Sequence, residues 1–546
     1  MKRKAILNKK LWLNKEAVTK VQAVIVIAII AVAAAVLGQL LIKTPPVEEK
    51  VGLFSRAGSD VWVFWDPSET FSNEITILNN IYEGLTHWDS VSGTIKPLLA
   101  TSWDVSEDAL HWTFHLRECV KFHCGHKFNA SAVKYSIERN IEGGKGASYI
   151  WSPVDSIEIL DEYIVRFNLK FPAPLDLIAS AGYCSQPYCP ICTEKHGHDW
   201  FYEGHDLGTG PYYVEEYDKG EELVILRKFD DYWGGWTGKE FDIVLLYGIP
   251  EASTVRMMIE KGELFITDDL PFEMVKDMEK NPKIRIQISP SWQNMFGLLN
   301  TQEPSPLSNK LLRQAISYAV PYEVCCRDIR YGYATQSHGT IPSELLGHSD
   351  ELPQYNYNLT KARELLAQAG YPNGEGLESL FLTYNAGDED ERKFAEIYKA
   401  DLAKIGVTLD IKAMTWTAQM AKAAASPEER QDIFLFYWWP DYPDPYSWLR
   451  SMFHSVSPED IVFECAYYNN SYFDNLIDEA YAVTGTDLAR AQEMYEEAQE
   501  ILIDDAVALF IYDWTYVRPM RVELKGYIDN PAYPNAYFLH DMYWEE

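Results

Sequence analysis

An uncharged apolar stretch near the amino terminus constrains the chain more than any other feature. Residues 21–42 contain no Asp, Glu, Lys or Arg and consist largely of Val, Ile, Ala and Leu. As a helix, 22 residues at 1.5 Å each span about 33 Å, which is enough to cross a bilayer. Residues 1–20 carry seven Lys or Arg against Glu16 alone, so they should stay in the cytoplasm and direct the rest of the chain outside. We therefore expect a transmembrane anchor at 21–42.

The same stretch could instead be a cleaved signal peptide, because Ala31, Ala33 and Ala35 offer small residues for a cleavage site. The apolar run is longer than a usual signal core, which favours the uncleaved anchor. Lipidation is excluded, because Gln39 stands where a lipoprotein processing site requires its cysteine. Residues 43–50 are interpreted as a short linker between the anchor and the body.

The body that follows is globular and strongly acidic. Hydrophobic residues make up 47% of the sequence and aromatic residues 14%, too many for a disordered chain and enough for two or three packed units. Eight of the 48 basic residues but only one of the 81 acidic ones precede Thr44, so the remainder has a net charge of −40. Such a surface repels phosphate backbones, which argues against nucleic-acid binding.

Helices and strands alternate through the body, which predicts an α/β fold. The clearest unit is a helix over 391–405, a stop at Gly406 and a strand in which Val407, Leu409 and Ile411 alternate with polar neighbours. Two further amphipathic helices are predicted at 309–320, with Ser308 as N-cap, and at 359–369.

Short strands are predicted at 112–116, 165–169, 223–227, 243–247 and 284–288. The segments 112–116 and 120–123 flank a turn, so we expect them to form a hairpin. Short strands scattered among many helices indicate more than one sheet.

Eight cysteines on an exported chain suggest disulfides, although the sequence does not determine their pairing. Cys184, Cys189 and Cys192 cluster in one predicted loop, and one of the adjacent cysteines at 325–326 could reach Cys465.

Cys189 and Cys192, followed by His196 and His198, also have the spacing of zinc ligands. A single Cys-x-x-Cys is a weak signal outside the reducing cytosol, so a disulfide beside two polar histidines is the favoured interpretation. We therefore predict no metal site and no cofactor.

Several motifs occur in an order that is typical of one protein family. They are NIYEGL at 80–85, PLLATSW at 97–103, WTFHLR at 112–117, VKFH at 120–123, VKYSIER at 133–139, GTGPY at 208–212, YW at 232–233, NT at 300–301, LRQAI at 312–316 and WPDYPDP at 439–445. Each motif alone is weak, but together they are colinear from about residue 60 to the C-terminus. The chain thus resembles the family 5 extracellular solute-binding proteins, which include oligopeptide- and dipeptide-binding subunits of ABC transporters.

The resemblance implies a two-lobed periplasmic-binding-protein-like fold with mixed sheets flanked by helices, in which strands cross between the lobes and ligand is enclosed between them. It assigns 51–90, 205–290 and 515–546 to lobe I, 91–204 to an extra domain on the lobe I side, and 291–514 to lobe II. The two glycines of the GTGPY motif should permit a tight backbone path into lobe I, where its tyrosine packs.

The sequence departs from the family pattern at a few positions. Cys119 and Cys124 replace a common Gly and Asp on opposite arms of the predicted hairpin, so a disulfide between them would make it rigid. Ala132 replaces a usual acid, and Pro321 stands where Asp is typical and should shorten the preceding helix.

The resemblance implies a monomeric, surface-exposed substrate-binding subunit of an ABC importer, which captures peptides, delivers them to membrane permease subunits and catalyses nothing. Asp441 is the predicted centre of the site. It follows an aromatic strand segment at 432–439, and ligands of open α/β sheets gather beyond the carboxyl ends of strands. In peptide-binding members the Asp at this motif position binds the ligand's α-ammonium, and the resemblance implies that role here; a turn cap is the alternative.

Four aromatic residues are further candidates for contact with the ligand: Trp439, Tyr442, Tyr82 and Trp438. Core packing is the favoured alternative for Tyr82 and Trp438.

Two other functions stay open. An oligosaccharide could stack on the aromatic residues, and because a sugar has no ammonium, Asp441→Ala would spare its binding. A surface hydrolase could use paired carboxylates such as Asp441 and Asp444, or Asp504 and Asp505, but the sequence has no nucleophile elbow and no HExxH.

Overall fold

The computed structural model describes residues 49–57, 64–70, 74–268, 270–455, 465–533 and 535–545. The predicted anchor at 21–42 and the basic segment before it lie outside these ranges. Within them, no helix combines the length and the apolar character that a membrane span requires.

The described residues form eighteen strands in five sheets. In chain order they are β1 (Val51–Ala57), β2 (Thr86–Asp89), β3 (Thr94–Pro97), β4 (Ala100–Val105), β5 (His111–Leu116), β6 (Val154–Asp161), β7 (Ile164–Leu169), β8 (Tyr212–Asp218), β9 (Leu223–Lys228), β10 (Ile243–Ile249), β11 (Ile284–Leu299), β12 (Ala334–Thr335), β13 (Leu380–Asn385), β14 (Leu409–Met414), β15 (Ile433–Trp438), β16 (Ala508–Arg521), β17 (Leu524–Lys525) and β18 (Tyr543–Trp544).

The α-helices of the described residues are Ile75–Ile81, Ala130–Gly143, Leu175–Ile178, Pro190–His196, Asp199–Tyr202, Ala252–Lys261, Phe272–Met278, Lys310–Ser317, Tyr322–Val324, Leu359–Gln368, Glu389–Ala403, Trp416–Ala423, Tyr446–Phe453, Ser471–Thr484 and Leu488–Asp505. Short 3-10 turns occur at Ser148–Trp151, Pro306–Ser308, Pro372–Gly374 and Leu539–Asp541, and a π-turn occurs at Cys325–Ile329.

Lobe I is built on a four-stranded sheet with the order β1-β10-β9-β8. Strands β1 and β10 are parallel, and the other pairs are antiparallel. Val224 and Leu226 of β9 and Val244 and Leu246 of β10 are fully buried, because alternate residues of a strand face the same side of the sheet.

The GTGPY motif brings the start of β8 against the helix Ile75–Ile81. A Cβ atom at Gly208 would lie 1.8 Å from the carbonyl oxygen of Ile81, so only glycine fits there. Tyr212 is fully buried, and its hydroxyl donates to the carbonyl of Phe241 at 2.8 Å. The predicted structural role of this motif is confirmed.

A buried ion pair joins the segment around residue 66 to the helix Ala130–Gly143. The guanidinium of Arg139 donates to both carboxylate oxygens of Asp66, at 2.9 and 2.7 Å. Burial alone would raise the pKa of Asp66, but hydrogen bonds from Arg139 and Ser68, with the charge of Arg139, hold that pKa below its ordinary value.

The chain between the two parts of lobe I forms a second four-stranded sheet, antiparallel throughout, with the order β4-β5-β7-β6. The predicted hairpin between 112–116 and 120–123 is wrong. Strand β5 pairs with β4 and β7 instead, and Lys121 forms a single antiparallel bridge with Lys127. The physical reason is a turn: Cys119 adopts a left-handed backbone conformation with φ 64°.

Lobe II contains a mixed six-stranded sheet with the order β12-β16-β11-β15-β13-β14. The predicted helix–glycine–strand unit is confirmed as Glu389–Ala403, Gly406 with φ 84°, and β14. The helix predicted at 309–320 is observed over Lys310–Ser317. Its N-cap is Asn309, whose side chain accepts from the Leu311 amide at 3.0 Å, because Ser308 ends the preceding 3-10 turn.

Two long antiparallel strands, β11 and β16, run from one lobe into the other. The first part of β11 pairs with the end of β16 beside lobe I, where Ile266 bridges both Phe54 of β1 and Met520 of β16. The last part of β11 lies between β16 and β15 in the lobe II sheet. The pairing is irregular between Pro290 and Asn294, where the strands pass between the lobes. The predicted two-lobed α/β architecture is confirmed, while its exact domain boundaries stay a prediction.

Candidate functional site

Asp441 lies in the loop that follows β15, at the carboxyl end of a central strand of the lobe II sheet. Its side chain is only 5% exposed. The Ser447 hydroxyl, at the start of the helix Tyr446–Phe453, donates to the Asp441 carboxylate at 3.2 Å. Proline at positions 440, 443 and 445 restricts the backbone of this loop. The loop therefore holds its two acidic residues, Asp441 and Asp444, in a defined orientation.

The Asp441 carboxylate also contacts the other side of the cleft. It accepts a hydrogen bond from the hydroxyl of Tyr149, which lies in the turn Ser148–Trp151 of the extra domain. Burial raises the pKa of Asp441 to about 6, although the hydrogen bonds from Tyr149 and Ser447 act in the opposite direction. A residue of the extra domain and a residue of lobe II therefore meet at this carboxyl group.

Asp444 is a second acid in the same loop, and it is fully buried. Its Oδ1 accepts from the Tyr446 amide at 2.8 Å and from the Tyr495 hydroxyl at 3.2 Å. Its Oδ2 has no hydrogen-bond partner among the residues that the structure describes. Burial raises the pKa of Asp444 to about 7, and the negative charge of Asp176 adds to the effect.

Asp176 and Asp513 extend the acidic character of this region. Asp176 belongs to the helix Leu175–Ile178 on the lobe I side, and burial raises its pKa to about 6. Asp513 lies on the crossing strand β16, accepts from the Ser337 hydroxyl at 2.6 Å, and has a pKa raised by burial to about 6. Asp513 and Trp438 both pair with Asn294, so Asp513 is only two strands from the end of β15.

These four carboxyl groups lack cationic partners. Among the described ranges, no Lys or Arg forms an ion pair with Asp176, Asp441, Asp444 or Asp513. Buried carboxylates elsewhere do have basic partners: Asp66 pairs with the partly buried Arg139, and Asp529 pairs with the buried Arg518. A buried carboxylate without a partner is costly, and a cationic ligand would remove that cost.

The structure places three of the predicted aromatic residues with Asp441. Trp438 is 6% exposed at the end of β15, and Trp439 is half-buried between it and the loop. Tyr442 is buried within the loop, and its hydroxyl donates to that of Tyr481 at 3.2 Å. Trp438 and Tyr442 are thus buried and Trp439 is partly exposed, all three next to Asp441 in the sequence.

Tyr82 lies apart from this group, in the core of lobe I. It is 1% exposed, its hydroxyl donates to the carbonyl of Trp65 at 3.0 Å, and it accepts from the Leu207 amide at 3.3 Å. These contacts correspond to the core packing that was the alternative for Tyr82.

Sequence reasoning did not select Tyr149, Asp176 or Asp513. Asp513 carried a usable signal, because it is an acid inside an otherwise apolar and aromatic strand. Asp176 and Tyr149 carried none, because their place in the site depends on how the extra domain meets lobe II.

The predicted disulfides are not observed in the structure. Seven cysteines are free thiols, namely Cys119, Cys124, Cys184, Cys189, Cys192, Cys325 and Cys326, and none of the proposed pairs is formed. Cys119 and Cys124 are both exposed, and no disulfide joins them. Cys325 and Cys326 are consecutive residues of one π-turn and likewise remain unpaired.

The ligand set that the sequence offered for zinc is also not assembled. The imidazole of His196 stacks on Trp200 at 4.1 Å between ring centroids, and His198 contacts Asp66 at 3.0 Å. Cys189 and Cys192 lie instead beside Cys124 and His126.

Comparison with known proteins places this arrangement in a family. The model for bacterial extracellular solute-binding proteins, family 5, matches residues 94–460. The chain is 28% identical over 486 residues to the probable D,D-dipeptide-binding periplasmic protein DdpA of Escherichia coli K12, covering 87% of this chain and 91% of the relative. It is 29% identical to the glutathione-binding protein GsiB of Pectobacterium atrosepticum, covering 86% and 89% of the two chains.

A solved structure shows the same fold. The ABC transporter-associated periplasmic binding protein DppA of Helicobacter pylori, in complex with the peptide STSA, superposes with a TM-score of 0.77 at 27% identity. The match covers 91% of this chain and 99% of that protein. The family model covers more than half of the chain, so these similarities show that the chain belongs to the bacterial extracellular solute-binding proteins of family 5.

Proposed function

We propose that this protein is the substrate-binding subunit of an ABC importer and that it captures short peptides through their amino-terminal ammonium group. Proteins named for D,D-dipeptide and glutathione binding are among its relatives, and the similar Helicobacter pylori protein was solved with a peptide. Glutathione and ordinary peptides share a free α-ammonium, which is the chemistry that a buried acidic site favours.

One observation carries the proposal: Asp441 and Asp444 share the short loop after β15, both are buried, and neither has a basic partner among the described residues. An ammonium group has three donors. It could occupy the free Oδ2 of Asp444 and the carboxylate of Asp441 at once, which would satisfy both acids and neutralise their charge.

Binding would proceed by closure of the lobes about the crossing strands. The irregular pairing of β11 and β16 between Pro290 and Asn294 offers a place where the strands can bend. The hydrogen bond from Tyr149 to Asp441 forms only when the extra domain meets lobe II. A ligand that contacts both sides favours the closed form by its differential affinity for that form.

The remaining features of the proposal follow from this role. The body works outside the cell as a monomer, held by the segment at 21–42, and its closed form docks on membrane permease subunits. Lobe I comprises 51–90, 205–290 and 515–546, and the extra domain and lobe II comprise 91–204 and 291–514. The protein needs no cofactor for this task and releases its solute chemically unchanged.

Native mass spectrometry of the full-length protein, followed by denaturation and identification of released molecules, tests the proposal. We expect co-purified peptides with free amino termini, recovered intact after prolonged incubation. An oligosaccharide in the released fraction would contradict the peptide assignment, and progressive cleavage of the peptides would show a hydrolase.

A further inference from the structure

Four side chains converge within the segment 91–204, and none of them belongs to the proposed peptide site. Cys124, His126, Cys189 and Cys192 each direct one ligand-type atom to a common point, with all four atoms within 4.8 Å of one another. The imidazole Nδ1 of His126 lies 3.3 Å from Sγ of Cys124, 3.4 Å from Sγ of Cys189 and 3.5 Å from Sγ of Cys192.

These separations match the edges of a tetrahedral zinc site. Zinc binds thiolate sulfur at about 2.3 Å and imidazole nitrogen at about 2.0–2.1 Å, so a tetrahedral angle places sulfur and nitrogen about 3.5 Å apart. Three independent sulfur–nitrogen distances agree with this value, although two of the ligands come from a segment more than sixty residues further along the chain.

Hydrogen bonding alone does not account for the arrangement. A neutral imidazole has one donor and one acceptor nitrogen, so Nδ1 can form one good hydrogen bond with a thiol, whereas three sulfurs surround it here. A disulfide would remove two of the sulfurs, but Cys124, Cys189 and Cys192 are free thiols. A cation bound at the centre would hold all four atoms.

The backbone positions these ligands independently of one another. Cys124 and His126 belong to a tight turn in which the Gly125 amide donates to the Phe122 carbonyl at 2.8 Å and the Phe122 amide donates to the His126 carbonyl at 2.9 Å. Cys189 precedes the helix Pro190–His196 and Cys192 lies in its first turn, so both sulfurs face the same side. The Cys189 amide donates to the Leu207 carbonyl at 3.1 Å.

We propose that Cys124, His126, Cys189 and Cys192 bind one zinc ion in a structural site. Three thiolates and an imidazole complete a tetrahedral set and leave no open position, which is typical of structural rather than catalytic zinc. Thiolate-rich sites favour zinc over calcium or magnesium, which prefer oxygen ligands.

The ion would fasten the turn at 122–126 to the helix Pro190–His196. The segment before that helix forms part of the packing behind Tyr149: the indole of Trp151 and the side-chain amide of Asn140 both donate to the Cys184 carbonyl, at 2.8 and 2.7 Å. The zinc site would therefore stabilise the part of the extra domain that supports the cleft, and coordination would protect the thiolates from oxidation.

The test is elemental analysis of the full-length protein, purified without added metal, with the metal content measured by plasma mass spectrometry. We expect about one zinc per chain, and less than about a tenth of that in Cys192→Ser and in His126→Asn. Two matched variants should keep the metal: Cys119→Ser, an exposed cysteine outside the cluster, and His196→Gln, which removes a histidine that the spacing alone would have selected.

Cobalt exchange gives an independent measurement on the unaltered protein, so the proposal stays testable if a variant does not fold. Cobalt-loaded protein should show the intense visible absorption of a tetrahedral site and the thiolate-to-cobalt charge-transfer band, and a chelator should lower the Tm. The proposal is overturned by metal-free protein, by iron in place of zinc, by loss of zinc in His196→Gln, or by alkylation showing a disulfide among Cys124, Cys189 and Cys192.

Discussion

Replacement of Asp441 by Asn tests the proposed binding site directly, because it keeps the size of the side chain and removes its charge. Burial raises the pKa of Asp441 from 3.8 to about 6. At 1.36 kcal/mol per pKa unit, the closed cleft disfavours the ionised form by roughly 3 kcal/mol. A peptide ammonium that keeps this carboxylate ionised must recover at least that free energy.

We therefore expect Asp441→Asn to weaken peptide binding by about 3 kcal/mol, or roughly 150-fold in Kd, which lies within the 2–5 kcal/mol found when a buried charge loses its partner. The assay is titration calorimetry at pH 7.5 with the strongest-bound member of a randomised tetrapeptide pool. The same peptide with an acetylated amino terminus completes a double-mutant cycle.

In the wild-type protein, acetylation should cost at least as much affinity as the substitution does, because it removes the contacts with both acids. In Asp441→Asn, only Asp444 remains to accept from the ammonium, so acetylation should cost clearly less affinity than it does in the wild type. The matched control is Asp350→Asn in the same lobe, whose side chain is 84% exposed and which should bind like the wild type. The reasoning is refuted if Asp441→Asn keeps wild-type affinity, or if acetylation weakens binding to both proteins by the same factor.

Three further predictions concern pH, the buried ion pair and the glycine motif. Burial raises the pKa of Asp441 to about 6 and that of Asp444 to about 7, so both acids are protonated at low pH. Peptide affinity should therefore increase from about pH 5 to pH 7.5, and binding should release protons. A Kd that does not change with pH would contradict this prediction. Arg139→Met should lower the free energy of unfolding by about 3–5 kcal/mol in denaturant titrations, because it leaves the Asp66 carboxylate buried without its partner. Removal of the exposed Lys280 should change the free energy of unfolding by less than about 0.5 kcal/mol. Equal effects of the two changes would show that the Arg139–Asp66 pair does not stabilise the fold. The pKa of Asp66 is lowered, so the stabilisation by this pair should be present above about pH 4 and lost as the pH falls below it. Gly208→Ala should lower the Tm by several degrees because its Cβ would overlap the Ile81 carbonyl, while Gly143→Ala, with no neighbour within 4 Å, should leave the Tm unchanged or slightly higher.

Local patterns were sufficient for much of lobe II. The helix Glu389–Ala403, the glycine after it and β14 were predictable because amphipathic periodicity and a left-handed stop are properties of a short segment. The failures occurred where pairing is a long-range choice. Strand β5 could not be assigned to β4 and β7 from its own residues, and β11 was predicted at less than half its length because its second part is buried on all sides and lacks alternation.

In the candidate site, too, some residues were predictable from local sequence and others depend on long-range contacts. Asp441 was predictable because its motif follows a strand directly, and Asp444 belongs to the same seven residues. The contact of Tyr149 with Asp441 joins residues almost three hundred positions apart, and no local pattern reports such a contact. The cysteines show this difference most clearly. Their spacing in the sequence suggested disulfides, or a zinc site completed by His196 and His198. The fold instead brings Cys189 and Cys192 to Cys124 and His126.

By itself, the sequence determined the α/β class, the acidic exported body, the family and the loop that carries the principal acid, because these depend on composition, periodicity and contiguous motifs. Only the tertiary structure decided which acids share the closed cleft, that Tyr82 packs in the core, and which four ligand atoms converge. Those properties depend on distances between remote segments, which are set by the packing of whole lobes and not by the residues of any one segment.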